Sequence, residues 1–265
     1  MSLIVVTGLA AEARIAAAPD VQTIIGAGRS ARLAADIEAA IAGGARRLLS
    51  FGVAGALSPQ LRAGDLVVAH GVTYGAWRLS CDLTWRAAIS RRLQGLSTDP
   101  DQIRQVPGMA GEKGESLPAG LYRYGRNGGW RPIAGSARSF SPAEIAGVDA
   151  PLADVRGKRD LLEATDSVAV DMESAIAAQA ARRHVLPFAI VRVIADPAQR
   201  PLPAAALCAM REDGEIDTTA VVGALARNPC QLPGLIRLAV DSRNAFSALV
   251  RVRALLGADF ASANL

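Results

Sequence analysis

Short β-branched runs that end in glycine, separated by stretches with helical spacing, constrain this 265-residue chain more than any other feature. Leu3-Ile4-Val5-Val6-Thr7 runs into Gly8, Thr23-Ile24-Ile25 into Gly26-Ala27-Gly28, and Leu48-Leu49-Ser50-Phe51 into Gly52-Val53-Ala54-Gly55. Between the second and third runs, Leu33, Ile37 and Ile41 share one helical face, with Ser30 as the expected N-cap and Gly43-Gly44 as the stop. Each glycine run reads as a turn that closes a strand, a use of glycine that is often purely steric. Strands alternating with helices predict an α/β fold with a largely parallel sheet.

The pattern continues downstream. Asp65 to Val72 reads as one strand, opened by the turn Ala63-Gly64. Val168 to Val170 reads as a strand leading into a helix from about Glu173 to His184, whose alanines let it lie close to a sheet. Phe188 to Ala195 is an apolar strand interrupted only by Arg192. Residues 98–130 carry Pro100, Pro107 and Pro118 and are expected to form surface loops or short edge strands; Pro197 to Asp217 is a second irregular stretch. Helices are expected over Thr218–Arg227 and Leu235–Leu256, broken at Asn228-Pro229. With no internal repeat or linker, a single domain over residues 1–265 is the economical reading.

Composition narrows the partners. Hydrophobic residues make up 51% and charged residues 20%, a globular balance. The net charge is +4, with lysine only at positions 113 and 158, and the arginines fall in scattered pairs such as Arg46-Arg47 and Arg182-Arg183. A nucleic-acid footprint would cluster them on one face, so no nucleic acid is expected; peripheral contact with anionic lipid headgroups stays open. Glu12 and Arg14 interrupt the apolar start, which argues against a signal peptide or a span and for a cytoplasmic protein. Cys81, Cys208 and Cys230 share no metal-type spacing with each other or with His70 and His184, so no metal is expected.

Three acids stand where such a sheet places ligands. Glu12 follows Gly8, Glu173 follows Met172 at a strand-to-helix junction, and Asp196 ends an apolar strand. Cleaving the bond between ribose and a purine calls for a proton donor to the base, stabilisation of a cationic sugar and an activated nucleophile. Asp196, desolvated at its strand end, could be the donor, or could simply cap the turn before Pro197. Glu173 could accept two ribose hydroxyls, or be an acid settled at a helix N-terminus. Glu12 could take a proton from water, or be a solvated first-turn acid. Met172 could wall the sugar, or belong to the core.

Taken as an ordered set, Gly8 with Glu12, Gly26-Ala27-Gly28, Gly52-Val53-Ala54-Gly55, Leu61-Arg62-Ala63-Gly64-Asp65-Leu66-Val67-Val68, Val170-Asp171-Met172-Glu173-Ser174-Ala175 and Val191-Arg192-Val193-Ile194-Ala195-Asp196 resemble the purine nucleoside phosphorylase and nucleosidase superfamily, above all its methylthioadenosine/S-adenosylhomocysteine nucleosidase branch. The resemblance implies a three-layer α/β/α sandwich with a central mixed sheet, assembled as a homo-oligomer. It implies that Met172 and Glu173 bind ribose, that Asp196 protonates the purine and that Glu12 activates water, with Gly8, Val53, Ala54 and Gly55 around the substrate and no cofactor. The phosphorolytic branch has an arginine in place of Glu12; Arg14 and Arg29 lie close enough in sequence to leave phosphate open as a co-substrate.

The departures from that branch are informative. Ala195 and Val53 stand where it usually has serine, which makes the pocket more apolar. Its purine-contacting stretch matches poorly at Gly135 to Phe140, where Phe140 is the expected neighbour of the base. With the proline-rich insert after Asp196, these changes are similar to the hopanoid-associated phosphorylase subgroup. That likeness implies adenosylhopane as substrate, a nucleoside on a polycyclic lipid, with Leu202, Leu207 and Met210 lining an apolar channel or else a loop packed on its own domain. The alternatives are phosphorolysis of the same bond, a methylthioadenosine/S-adenosylhomocysteine nucleosidase, or a non-catalytic nucleoside-binding module. A dinucleotide-binding reading fails because position 31, where a third glycine is needed, is alanine.

Overall fold

The structure, a computed structural model, describes residues 3–95, 120–125, 128–133, 143–207, 211 and 213–262. Eleven strands form one sheet: β1 (Leu3–Thr7), β2 (Val21–Ile25), β3 (Arg47–Ala56), β4 (Leu66–Val68), β5 (Gly71–Tyr74), β6 (Trp77–Ser80), β7 (Leu121–Tyr124), β8 (Trp130–Pro132), β9 (Glu144–Gly147), β10 (Ala169–Asp171) and β11 (Phe188–Asp196). The helices are α1 (Ala10–Ala16), α2 (Ser30–Ala42), α3 (Leu83–Leu93), α4 (Val155–Thr165), α5 (Ser174–Arg183), α6 (Ala204–Leu207), α7 (Thr218–Arg227) and α8 (Leu232–Leu256).

Period-two alternation sets which helices cover which face. Along β1, Ile4 and Val6 pack into one core with Leu33, Ile37 and Ile41 of α2 and the alanines of α5, while Leu3 and Val5 enter a second core with Trp85 and Ile89 of α3 and Leu249, Val252 and Leu256 of α8. Helices on both faces of a central sheet make the three layers. The expected closeness of α5 is met: a Cβ at Gly147 on β9 would lie 2.6 Å from the Cβ of Ala175.

The sheet is mixed, as the family resemblance implied, and not largely parallel as the alternation of elements alone predicted. β1 pairs parallel with β2 and β3, β11 with β3, and β9 with both β5 and β10, but the other five pairings are antiparallel. The pattern could not show this, because a buried strand reads as apolar whichever way it runs. Asp65 to Val72 divides into β4 and β5 at Ala69-His70. Ser30 is already helical; the turn before it uses positive φ at Ala27 (48°) and Gly28 (70°), which brings the chain into α2 at Arg29 as N-cap.

The third glycine run is not a turn. β3 continues through Gly52 and Gly55 as a ten-residue strand, the spine of the sheet. On one edge β1 pairs with it as far as Ser50, and β10, running the opposite way, pairs with Gly55 and Ala56. The carboxyl ends of β1 and β10 therefore face each other along β3, and residues 51–54 have no ladder partner on that edge. That gap is where the sheet leaves room for a site.

Gly147→Ala is expected to push α5 from the sheet and cost about 1–3 kcal/mol, as overpacked cores do; a lowered denaturation midpoint at unchanged m-value checks it.

Candidate active site

Residues from the edges of this gap line a cavity of about 250 Å³. Gly8, Glu12, Val53, Ala54, Gly55, Met172, Glu173 and Asp196, read from the sequence as site residues, all contribute to its wall. Phe140 and Met210 lie outside the described residues. Leu202 reaches the wall, whereas Leu207 does not and is 41% exposed.

Glu12 stands in the first turn of α1 and is 1% exposed. Its Oε2 accepts from the backbone N–H of Gly8 at 2.7 Å and of Leu9 at 2.9 Å, satisfying donors that a helix start leaves open. Its Oε1 accepts from Val53 N–H at 2.7 Å, so the carboxylate takes the place of the missing ladder partner in the gap. A Cβ at Gly52 would lie 2.6 Å from the Glu12 carboxyl carbon. Burial pushes the Glu12 carboxyl above its ordinary range, against the pull of Arg192 and the three N–H groups.

Glu173 is the N-cap of α5, where the positive end of the helix meets it. Two glycines make space for it: a Cβ at Gly8 would come within 2.9 Å of its Oε1, and one at Gly26 within 2.8 Å of its Cγ. Those glycines admit a protein carboxylate, a reason more specific than turn geometry. Burial, opposed by Arg192 and aided by Asp171 and Glu12, pushes the Glu173 carboxyl up to about 7.

Arg192 joins these groups. It is the one break in the apolar alternation of β11, fully buried, with Nε 2.7 Å from Asp171 Oδ2 and Nη2 3.2 Å from Glu173 Oε2. Nη2 also donates to Ser50 Oγ at 2.7 Å and Nη1 to Val53 O at 3.3 Å. Asp171 accepts from the backbone N–H and the hydroxyl of Ser174. Sequence reading noticed Arg192 only as an interruption; a lone cation in a buried strand near two acids was the available signal.

Asp196 has a partner that the sequence reading missed. Lys158 of α4 is 1% exposed, and its ammonium lies 2.5 Å from Asp196 Oδ2, 3.2 Å from Pro197 O and 2.9 Å from Arg200 O. Three acceptors match its three protons. Desolvation holds the Asp196 carboxyl above its ordinary range although Lys158 and Arg200 draw it down. The clue was compositional: one of two lysines among many arginines, and lysine is the compact cation that can be enclosed this way.

The rest of the wall is apolar. Val148, Pro151, Leu152, Leu202 and Leu238 face the acids across the cavity, and Ala195 adds no hydroxyl. No Arg or Lys is among the described residues that line it; Arg14 instead pairs with Glu215 at the surface, 2.7 Å apart. A second hollow of about 160 Å³ between Pro201, Pro203 and Arg237 shares Asp196, Leu202 and Leu238 with the first. Among the described residues no group of three or more His, Cys, Asp or Glu side chains is disposed to hold a metal ion.

Two outcomes are expected. Replacing Arg192 by Met leaves Asp171 and Glu173 buried without their cation and should cost about 3–5 kcal/mol, with Asp171→Asn in the same chain recovering part of the loss in denaturant titrations. Burial gives the Glu12, Glu173 and Asp196 carboxyls a higher proton affinity in the native state than in the unfolded chain. Stability should therefore fall as pH rises from the ordinary carboxylate range through about 7, and Glu173→Gln should flatten that slope in melting curves taken across pH.

Comparison with known proteins agrees with this architecture. The structure superposes on 5′-methylthioadenosine/S-adenosylhomocysteine nucleosidase from Neisseria meningitidis with a TM-score of 0.55 at 14% identity, covering 96% of this chain and 97% of that one. The corresponding enzyme from S. pneumoniae gives 0.53 at 14%, covering 97% and 100%, and futalosine hydrolase of Helicobacter pylori gives 0.53 at 12%, covering 96% and 97%. At these identities the likeness is one of fold. No curated protein matches the chain significantly by sequence. The sequence pattern of the phosphorylase superfamily, however, matches residues 3–227. The chain belongs to the phosphorylase superfamily, enzymes that cleave nucleosides.

Proposed function

We propose that this protein hydrolyses the N-glycosidic bond of an adenosine bearing a bulky apolar 5′ substituent and releases adenine, with adenosylhopane the substrate that fits the reading best. The observation that carries it is the pairing of three buried acids with an apolar far wall in one cavity that no Arg or Lys among the described residues lines.

In this reading the Glu173 carboxylate accepts hydrogen bonds from the ribose 2′- and 3′-hydroxyls and Met172 packs against the sugar. Water attacks the anomeric carbon as Glu12 takes its proton. The electron pair of the breaking C–N bond passes into the purine, which receives a proton from Asp196. Lys158 occupies one oxygen of Asp196, which fixes the carboxyl and leaves the other oxygen for the base. Proton exchange with solvent then resets Glu12 and Asp196.

Water is favoured over phosphate because an anionic co-substrate beside Glu12, Glu173, Asp196 and Asp171, which also reaches the wall, would need a cation, and neither Arg14 nor Arg29 lines the cavity. The apolar wall of Val148, Pro151, Leu152, Leu202 and Leu238 supports a hydrocarbon on the 5′ side over a methylthio group.

Chromatography of adenine released from adenosylhopane and from methylthioadenosine tests this, with and without phosphate. Release is expected without phosphate, with higher kcat/KM for the hydrocarbon-bearing nucleoside. Glu12→Gln and Asp196→Asn should each lower the rate by about 10²–10⁴, the range of a general base or acid. Release that requires phosphate, or full activity in Glu12→Gln, would refute the hydrolytic assignment.

A further inference from the structure

The C-terminal helices carry a surface that the cavity does not explain. Twelve large hydrophobic side chains are exposed among the described residues, and eight of them lie between Leu207 and Leu255. Helix α7 has no buried residue, and its Val222 is 65% exposed. On α8, Leu232, Ile236 and Val240 recur every fourth residue on the side away from the core, each about half exposed. An exposed apolar row of this kind marks an interaction surface.

The charges along these two helices are mainly basic. From Thr218 to Leu256 the chain holds five arginines and one acid, Asp241, which is bound to Arg200 at 2.7 Å. Arg227, Arg237 and Arg243 are exposed and have no acidic partner among the described residues. The described acids of the preceding loop have partners: Glu215 pairs with Arg14, Asp213 with Arg211, and Asp217 is the N-cap of α7.

We propose that the exposed face of α7 and the first half of α8 is a docking surface for an anionic lipid bilayer, lying in its interface with Val222, Ile236 and Val240 against the acyl boundary and the arginines at the headgroups. An apolar stripe flanked by arginines is the composition of an interfacial helix. No helix among the described residues is long and apolar enough to cross a membrane, so the contact is peripheral. A second copy of this chain is the poorer occupant. A two-fold contact would set this patch against itself and bring the unpaired arginines together. The placement also has a use: α8 turns Leu238 into the cavity wall while presenting Ile236 outward, so the bilayer would lie beside the apolar side of the cavity.

Co-sedimentation of the full chain with vesicles tests this without reference to turnover, so its outcome is separate from that of the proposed reaction. Binding is expected to vesicles of phosphatidylcholine mixed with phosphatidylglycerol, much weaker to phosphatidylcholine alone, and reduced by salt. Arg227→Gln with Arg243→Gln should lower vesicle affinity on the order of tenfold or more. Val222→Asp with Ile236→Asp should abolish it while circular dichroism and melting temperature stay unchanged. No binding to anionic vesicles would overturn the proposal. So would equal binding by the aspartate variant, or a change of sedimentation in that variant from dimer to monomer, which would assign the face to a second copy.

Discussion

The burial of Arg192 beside Asp171 and Glu173 is the interaction on which the rest of the site depends. An isolated carboxylate in this interior would be protonated or expelled, and two would repel each other. One guanidinium, held in register with Gly52 on the spine of the sheet, offers donors in several directions and so ties together β3, β10 and the start of α5. Its charge also reaches Glu12, whose remaining needs are met by backbone N–H groups. The arrangement contributes specificity of placement more than stability, since buried ion pairs repay their desolvation only in part.

The sheet supplies the opening that this cluster fills. β1 and β10 approach from opposite ends of the same edge of β3 and stop short of each other, which exposes backbone donors that only a side chain can satisfy. Glu12 satisfies one of them at Val53, and the glycines at positions 8, 26 and 52 are small so that the carboxylates can come in. The acids are thus held by the backbone. Their burial raises their affinity for protons, and the opposite wall is hydrocarbon. The cavity thus has ionisable groups on one side and apolar side chains on the other.

Much of this was legible along the chain because chemistry at strand ends leaves local marks. Gly8 with Glu12, Met172-Glu173 and Asp196 each follow a short apolar run, and all enter the same wall. Lys158 left no such mark: it lies in an exposed-looking amphipathic helix, and its contact with Asp196 spans 38 positions. The partition of the insert was likewise hidden, since Leu202 turns inward and Leu207 outward within a run of small residues that has no periodicity to read.

The sequence by itself determined where strands, helices and acids fall, because periodicity, glycine and chain order act over a few residues. It also determined that a carboxylate stands just after, or at the end of, each of three apolar strands. Only the tertiary structure decided that half of the strand pairings run antiparallel, that a glycine run is a strand beside a gap, and that Arg192 and Lys158 are the counter-charges. Those outcomes rest on which distant backbone edges meet and which charges are shut away from water together, and neither is encoded in any short stretch of the chain.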